Sequence, residues 1–178
     1  MLRLGLIGNP VSKSLSPQIF KILSQISQTP LTYDLIESND LKEVTWANFD
    51  GLNITIPLKE NILNLKEFNS TADVTRTGAS NLWRASDQSL HNTDIEGVKR
   101  ALGKSGSSSW AALVIGAGGA ARAALVALER MGVTVVSVVN RSPERILELK
   151  KSFAVVPPEG VEFDLMIKAT PELPSDLA

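Results

Sequence analysis

Lys59 closes the stretch GLNITIPLK, which begins at Gly51. Ile54, Thr55 and Ile56 favour an extended backbone. Alternation along a strand puts Asn53 and Thr55 on one face and Ile54 and Ile56 on the other. Pro57 has no N–H for a sheet ladder and should end the strand, so Lys59 falls just past the carboxyl end. An amide, a hydroxyl and an ammonium at a strand tip are groups an α/β protein can offer a small polar ligand; an ordinary strand followed by a solvated lysine is the plainer alternative. Asp94 is the second proton-handling candidate. It ends the run Asn92-Thr93-Asp94 at the start of a helix over Asp94–Leu102, where Asp or Thr is commonly just a cap. Lys59 and Asp94 could share general acid–base work or form a surface ion pair of little worth. Their place at element ends, amid Asn53, Thr55, Asn81 and Asn92, suits a polyol better than a core.

Elements that would hold these groups follow from the pattern of the first half. Leu2–Ile7 reads as a short buried strand ended by Gly8-Asn9-Pro10. Ser12, Ser14 and Ser16 then lie in a strand-to-helix loop. Ser16 suits an N-cap and Pro17 the first helical position, with Ile19, Phe20, Leu23 and Ile26 at helical spacing behind them. Hydroxyls and free N–H groups at a helix start can bind a carboxylate; alternatively one serine caps and the others are solvated. Leu31–Ile36 reads as a second strand, Leu41–Asn48 as a short helix, and Glu60–Leu65 and Ser70–Thr77 as helical pieces ended by Gly78. Ala79–Trp83 and Ser89–Asn92 read as a hairpin-like pair.

A Gly/Ser-rich linker, Gly103–Ser109, is the best domain boundary, giving domains 1–103 and 104–178. Beyond it come an apolar strand, Ala111–Ile115, the turn Gly116-Ala117-Gly118-Gly119, an Ala-rich helix, Ala120–Met131, and a β-branched strand, Val133–Val139. This βαβ unit of about 30 residues matches a dinucleotide-binding unit in size. Glycines let a pyrophosphate approach the backbone, and the helix start supplies N–H groups and partial positive charge. The second strand ends in Asn140-Arg141-Ser142, with no acid for a ribose hydroxyl. Arg141 and Arg145 fit a 2′-phosphate instead, which favours NADP over NAD.

Bulk properties narrow the class. The 178 residues are 43% hydrophobic and 21% charged, with a formal net charge of -1, so no basic excess points to nucleic acid. No apolar run approaches the ~18 residues of a membrane span, and the amino terminus lacks a signal peptide's apolar region and cleavage site. Without Cys, and with His91 the only histidine, neither a disulfide framework nor a thiolate or His-cluster metal site is expected. The expectation is a cytoplasmic, metal-free protein with no nucleic-acid or membrane partner.

Read in order, GNPVSKSLSP, GLNITIPLK, GASN, NTD, GAGGA and NRS resemble the shikimate dehydrogenase family over nearly the whole chain. The resemblance implies an N-terminal α/β substrate-binding domain followed by a Rossmann-like NADP-binding domain, here truncated. It implies NADP-dependent, reversible reduction of 3-dehydroshikimate to shikimate, on the chorismate route to aromatic amino acids. Carried over by position, the catalytic pair is Lys59 and Asp94, and the serines that hold the substrate carboxylate are Ser14 and Ser16. The other substrate contacts are Asn53, Thr55 and Asn81. The diphosphate loop is Gly116, Ala117, Gly118, Gly119 and Ala120, and the 2′-phosphate clamp Asn140, Arg141, Ser142 and Arg145.

Several positions depart from the family pattern. Phe20 and Lys21 stand where the family usually has His-Asn, Leu82 where it has Thr, and Leu90 where it has Gly. Lys168-Ala169-Thr170-Pro171 replaces Asn-Ala-Thr-Pro. Family members also continue past the equivalent of Ala178, which suggests a shortened homologue or part of a larger product. The alternatives are a quinate or aminoshikimate dehydrogenase, or a shikimate-binding homologue without turnover. An exposed edge on a three-stranded second sheet, Ala111–Ile115, Val133–Val139 and Phe163–Ala169, would also invite homo-oligomerisation.

Overall fold

The structure, a computed structural model, describes residues 1–103 and 108–170. It falls into two compact units, Met1–Asn92 and Thr93–Ala178. Most of the expected linker lies outside the described residues, and the helix before it groups with the second unit, because Ile95 is buried in that unit's core.

In the first unit, β1 (Leu2–Gly8), β2 (Leu31–Glu37) and β3 (Gly51–Ile54) are mutually parallel, with β1 in the middle. β5 (Leu82–Arg84) pairs antiparallel with β3 and with β6 (Ser89–His91), and β4 (Asn69–Ser70) lies parallel to β6 at the edge. Two helices, α1 (Ser16–Ser27) and α2 (Ala72–Thr77), complete it. The core gathers on one sheet face. Ile7, Leu52, Ile54, Trp83 and Leu90 are each at most 1% exposed, and Trp46 packs edge-on to Trp83 at 5.0 Å. Alternation therefore holds along β3: Leu52 and Ile54 enter the core, and Asn53 faces the other way.

Several sequence-based bounds shift. The strand at 51 stops at Ile54, and Thr55 begins a turn in which the Leu58 N–H reaches the Thr55 carbonyl at 2.8 Å. Leu41–Asn48 is two 3-10 turns, Leu41–Glu43 and Trp46–Asn48, and the Glu60–Leu65 piece is the 3-10 turn Asn61–Asn64. The backbone at Val44 and Thr45 between the first two is not helical, so no α-helix can run through. Ser16 is not the N-cap of α1: Leu15 occupies that place, and Ser16 is the first helical residue. Apolar residues at helical spacing along α1 are largely exposed: Ile19 is 52%, Leu23 47% and Ile26 75% exposed.

The second unit contains α3 (Asp94–Leu102), β7 (Ala111–Ile115), α4 (Gly119–Arg130), β8 (Val135–Val139), α5 (Pro143–Lys150) and β9 (Leu165–Lys168). Its sheet is parallel, in the order β8-β7-β9. α4 is Ala-rich because it lies close against its neighbours: Ala121, Ala123, Ala124 and Ala127 are at most 1% exposed. Ala121, Ala123 and Ala127 form one core with Val114, Leu128, Leu149 and Phe153.

Candidate active site

In the first unit, the parallel strands bring their carboxyl ends to one edge, where open α/β sheets commonly bind ligands. The loop after β1 carries the serines. Glu37, at the end of β2, accepts from the Val11 and Ser12 N–H groups at 3.1 and 3.2 Å and fixes the start of that loop. The Ser14 hydroxyl donates to Ser16 Oγ at 3.1 Å and also accepts from the Ser16 N–H. Because Ser16 does not cap α1, its hydroxyl serves this cluster instead.

Tyr33 joins the cluster and was missed by motif reading. Its hydroxyl donates to Asn53 Oδ1 at 2.8 Å. Burial pushes the phenol above its ordinary value of 10.0, and a hydrogen bond with the Ser16 side chain partly offsets this. The Phe20 ring stacks on Tyr33 with centroids 4.5 Å apart, so the residue in the family's usual His position holds the tyrosine from behind. Strand register was the available signal: Tyr33 is opposite Leu4 and Asn53 opposite Leu6, on the two flanks of β1. Residues two apart on β1 share a face, so Tyr33 and Asn53 do too.

Lys59 is half-buried, past the β3 turn, and its carbonyl accepts from the Ser80 N–H at 2.7 Å. Asn81 ties the same region together: its carbonyl accepts from Ile54 N–H, and its own N–H donates to the His91 carbonyl. Beneath, the Asn92 amide donates to the Ala79 carbonyl at 3.0 Å and to Thr77 Oγ1. The loop carrying Asn81 is thus held by fixed hydrogen bonds, and it in turn holds Lys59. Thr55, half-buried, has its N–H on the Ile7 carbonyl. The structure therefore gathers Ser14, Ser16 and Asn53 into one network and anchors Lys59, Asn81 and Thr55 along the same strand ends.

In the second unit, Asp94 is half-buried in the first turn of α3, where the positive helix end favours a carboxylate. Thr93 precedes it and makes no side-chain capping bond.

The glycine turn follows β7. Gly116 has φ +118° and donates to the Val139 carbonyl at 2.9 Å; a β-carbon there would lie 2.9 Å from the Ala169 carbonyl oxygen. At Gly118, the N-cap of α4, an added β-carbon would meet nothing within 4 Å. That open backbone, with the first N–H groups of a 12-residue helix beyond it, fits a diphosphate. At the end of β8, the Asn140 amide donates to the Ser142 carbonyl at 3.1 Å and shapes the turn that presents Arg141. Arg141 and Ser142 are exposed and Arg145 is half-buried. Arg122 was also missed: buried on α4, its guanidinium lies 3.6 Å from Glu148 of α5 and links the two helices. Lys168 ends β9, Ala169 and Thr170 follow it, and Pro171 lies outside the described residues.

A parallel sheet with a glycine turn at a helix start, in one chain with a separate α/β unit rich in hydroxyls and amides, defines a two-part protein of the dinucleotide-dependent type. Comparison makes the class specific. Residues 6–82 match the family model described as shikimate dehydrogenase substrate binding domain, and residues 98–172 match shikimate/quinate 5-dehydrogenase. A shikimate dehydrogenase (NADP(+)) of Legionella pneumophila is 35% identical over 98% of this chain and 71% of its own length. One of Archaeoglobus fulgidus is 36% identical over 82% of this chain and 55% of its own length. A crystal structure of shikimate 5-dehydrogenase from Thermus thermophilus, in complex with NADP(H) and shikimate, superposes with a TM-score of 0.82 at 32% identity, covering 96% of this chain and 69% of that one. Quinate dehydrogenase from Corynebacterium glutamicum in complex with NAD gives 0.77 at 26% identity, with 96% and 71% covered. The chain belongs to the shikimate dehydrogenase family, and spans roughly half to seven-tenths of the length of these two curated relatives.

Proposed function

We propose that this chain carries the NADP-dependent, reversible reduction of 3-dehydroshikimate to shikimate. The observation that carries the reading is the Ser14–Ser16–Tyr33–Asn53 network, built by the loop after β1 and by β2 and β3, in a chain whose relatives are NADP-dependent shikimate dehydrogenases. On binding, Ser14 would give up its hydrogen bond to Ser16 Oγ, and both serines would donate their hydroxyl protons to the ring carboxylate. Asn53, Thr55 and Asn81 hold the ring hydroxyls. Lys59 donates a proton to the carbonyl oxygen as it becomes a hydroxyl, and takes it back in the oxidative direction. Asp94 is the second residue of the proposed pair, its carboxylate accepting a hydrogen bond from a ring hydroxyl. Proton transfer of this kind is worth typically ~10²–10⁴-fold in rate.

NADP, when bound, supplies or accepts the hydride. Ala117, Gly118, Gly119 and Ala120 would offer backbone N–H groups to its diphosphate, with Gly116 shaping the turn through its bond to the Val139 carbonyl; Asn140, Arg141, Ser142 and Arg145 would receive the 2′-phosphate. We place the activity in the cytoplasm, on the chorismate route to aromatic amino acids. The unpaired outer edge of β9 among the described residues supports self-association.

The test is formation of reduced cofactor with shikimate and NADP, repeated with quinate and with NAD. Turnover confined to shikimate and NADP supports the reading. Turnover with quinate and NAD replaces it with the chemistry of the Corynebacterium glutamicum neighbour. Shikimate binding by calorimetry without turnover replaces it with a binding homologue.

A further inference from the structure

We propose that Tyr33 is a positioning residue that sets the orientation of the Asn53 amide, so that Asn53 presents only hydrogen-bond donors to the ring ligand. The inference rests on the shikimate reading above for the ligand's identity, and on geometry for the rest. Asn53 is flanked in register by Leu6 on β1 and Leu82 on β5. Neither side chain can distinguish the amide's oxygen from its nitrogen. Tyr33 can. Its hydroxyl crosses the width of β1 to reach Asn53 Oδ1 at 2.8 Å, a span that the length of a tyrosine allows and that adjacent strands about 4.8 Å apart require.

Tyr33 is itself held. Phe20 stacks on its ring at 4.5 Å with an interplanar angle of 24°, and a hydrogen bond with the Ser16 side chain also engages its hydroxyl. With Oδ1 engaged, the two Nδ2 protons are the groups left for a ligand. Such a site accepts a hydroxyl or carbonyl oxygen and opposes an ammonium or any other pure donor. Without the tyrosine hydroxyl, the two amide orientations lie close in energy, and only a fraction of molecules are competent to bind.

The test is a cycle of Tyr33→Phe, Asn53→Ala and the double variant, read as shikimate affinity by calorimetry. Phenylalanine keeps the ring and the Phe20 stack. Y33F should weaken shikimate about three- to tenfold, the loss of one net hydrogen bond. In the N53A background the same change should cost clearly less, only what its hydrogen bond with Ser16 contributes, because its main target is gone. Equal losses in both backgrounds would show that Tyr33 acts through packing and overturn the proposal. A wild-type chain that fails to bind shikimate refutes the function proposed above, and the positioning role is then read by NMR. The Asn53 side-chain amide pair should shift and broaden in Y33F; an unchanged pair overturns the proposal without any ligand.

Discussion

Thr77 tests how the Lys59–Asn81 region is held. It ends α2 with its side chain fully buried. Its Oγ1 lies 2.8 Å from the Asp73 carbonyl oxygen and 2.9 Å from that of Ala79. It also accepts from the Ala79 N–H and the Asn92 amide, both at 3.3 Å. Valine has nearly the same shape, so Thr77→Val opens no cavity and removes only the polar atom at the centre of the cluster. The buried Ala79 N–H then loses its acceptor, at about 1–3 kcal/mol, and one net hydroxyl bond worth about 1 kcal/mol goes too. The hydroxyl's own burial cost disappears, which offsets part of this, so a loss of about 2 kcal/mol is expected. At a urea slope of about 2 kcal/mol/M, the midpoint falls by about 1 M. Thr77→Ser keeps the oxygen and loses one methyl, about 1 kcal/mol. The assay is urea unfolding by tryptophan fluorescence in a Trp110→Phe background, leaving Trp46 and Trp83, both in the first unit. T77V should also weaken shikimate binding more than T77S, because the loop it braces holds the Lys59 carbonyl. Equal destabilisation by the two variants, or a T77V loss under about 0.5 kcal/mol, would refute this account.

Other expectations follow from the same geometry. Lys59→Ala should lower turnover by at least ~10²-fold with little change in melting temperature; near-normal turnover would remove Lys59 from the chemistry. Arg141→Ala should weaken NADP far more than NAD, measured by cofactor titration, and an equal loss for both would move the 2′-phosphate elsewhere. Tyr33 is the only tyrosine, so phenolate absorbance reports it alone, and its midpoint should lie above the ordinary 10.0. Because the folded chain holds that proton more tightly, the associated stability is complete below 10.0 and is lost as pH rises through the raised value. A midpoint at or below 10.0 would contradict the burial. Sedimentation velocity over a range of concentrations should show self-association through the β9 edge, and a monomer throughout would argue against it.

Much of the fold could be read in advance because its elements announce themselves locally. The β-branched run near Val139, the alanines of α4 and the glycine turn between them are each a complete signal over a few residues. The first unit was legible at its strand tips and not between them. Ser14, Ser16, Asn53 and Lys59 sit in motifs whose neighbours in sequence give them away. Tyr33 and Glu37 do not, because what makes them matter is pairing across strands and loops distant in the chain: Glu37 reaches back to Val11 and Ser12, and Tyr33 reaches across β1. Leu41–Asn48 breaks into two 3-10 turns at the non-helical Val44 and Thr45, and in the second turn Trp46 packs on Trp83 and Phe68.

The departures from the family pattern divide by where the structure puts them. Leu90, in place of Gly, is 1% exposed and paired with Trp83 across β5–β6, so it adds apolar burial to the core and touches none of the proposed contacts. Leu82 and Phe20 fall on the site itself. Leu82 stands opposite Asn53 and removes a cross-strand hydroxyl that a threonine would have offered; Phe20 replaces a polar ring with an apolar one against Tyr33. Both changes take polar neighbours from the Asn53–Tyr33 pair, so the amide oxygen in its part-buried 2.8 Å hydrogen bond has fewer alternative partners, and losing that partner is costly. Asn53 therefore depends on Tyr33 more heavily in this chain than a threonine at position 82 would require, and Leu82→Thr should partly restore the shikimate affinity lost in Tyr33→Phe. Failure of that rescue in a folded double variant would mean that the threonine hydroxyl cannot stand in for the tyrosine.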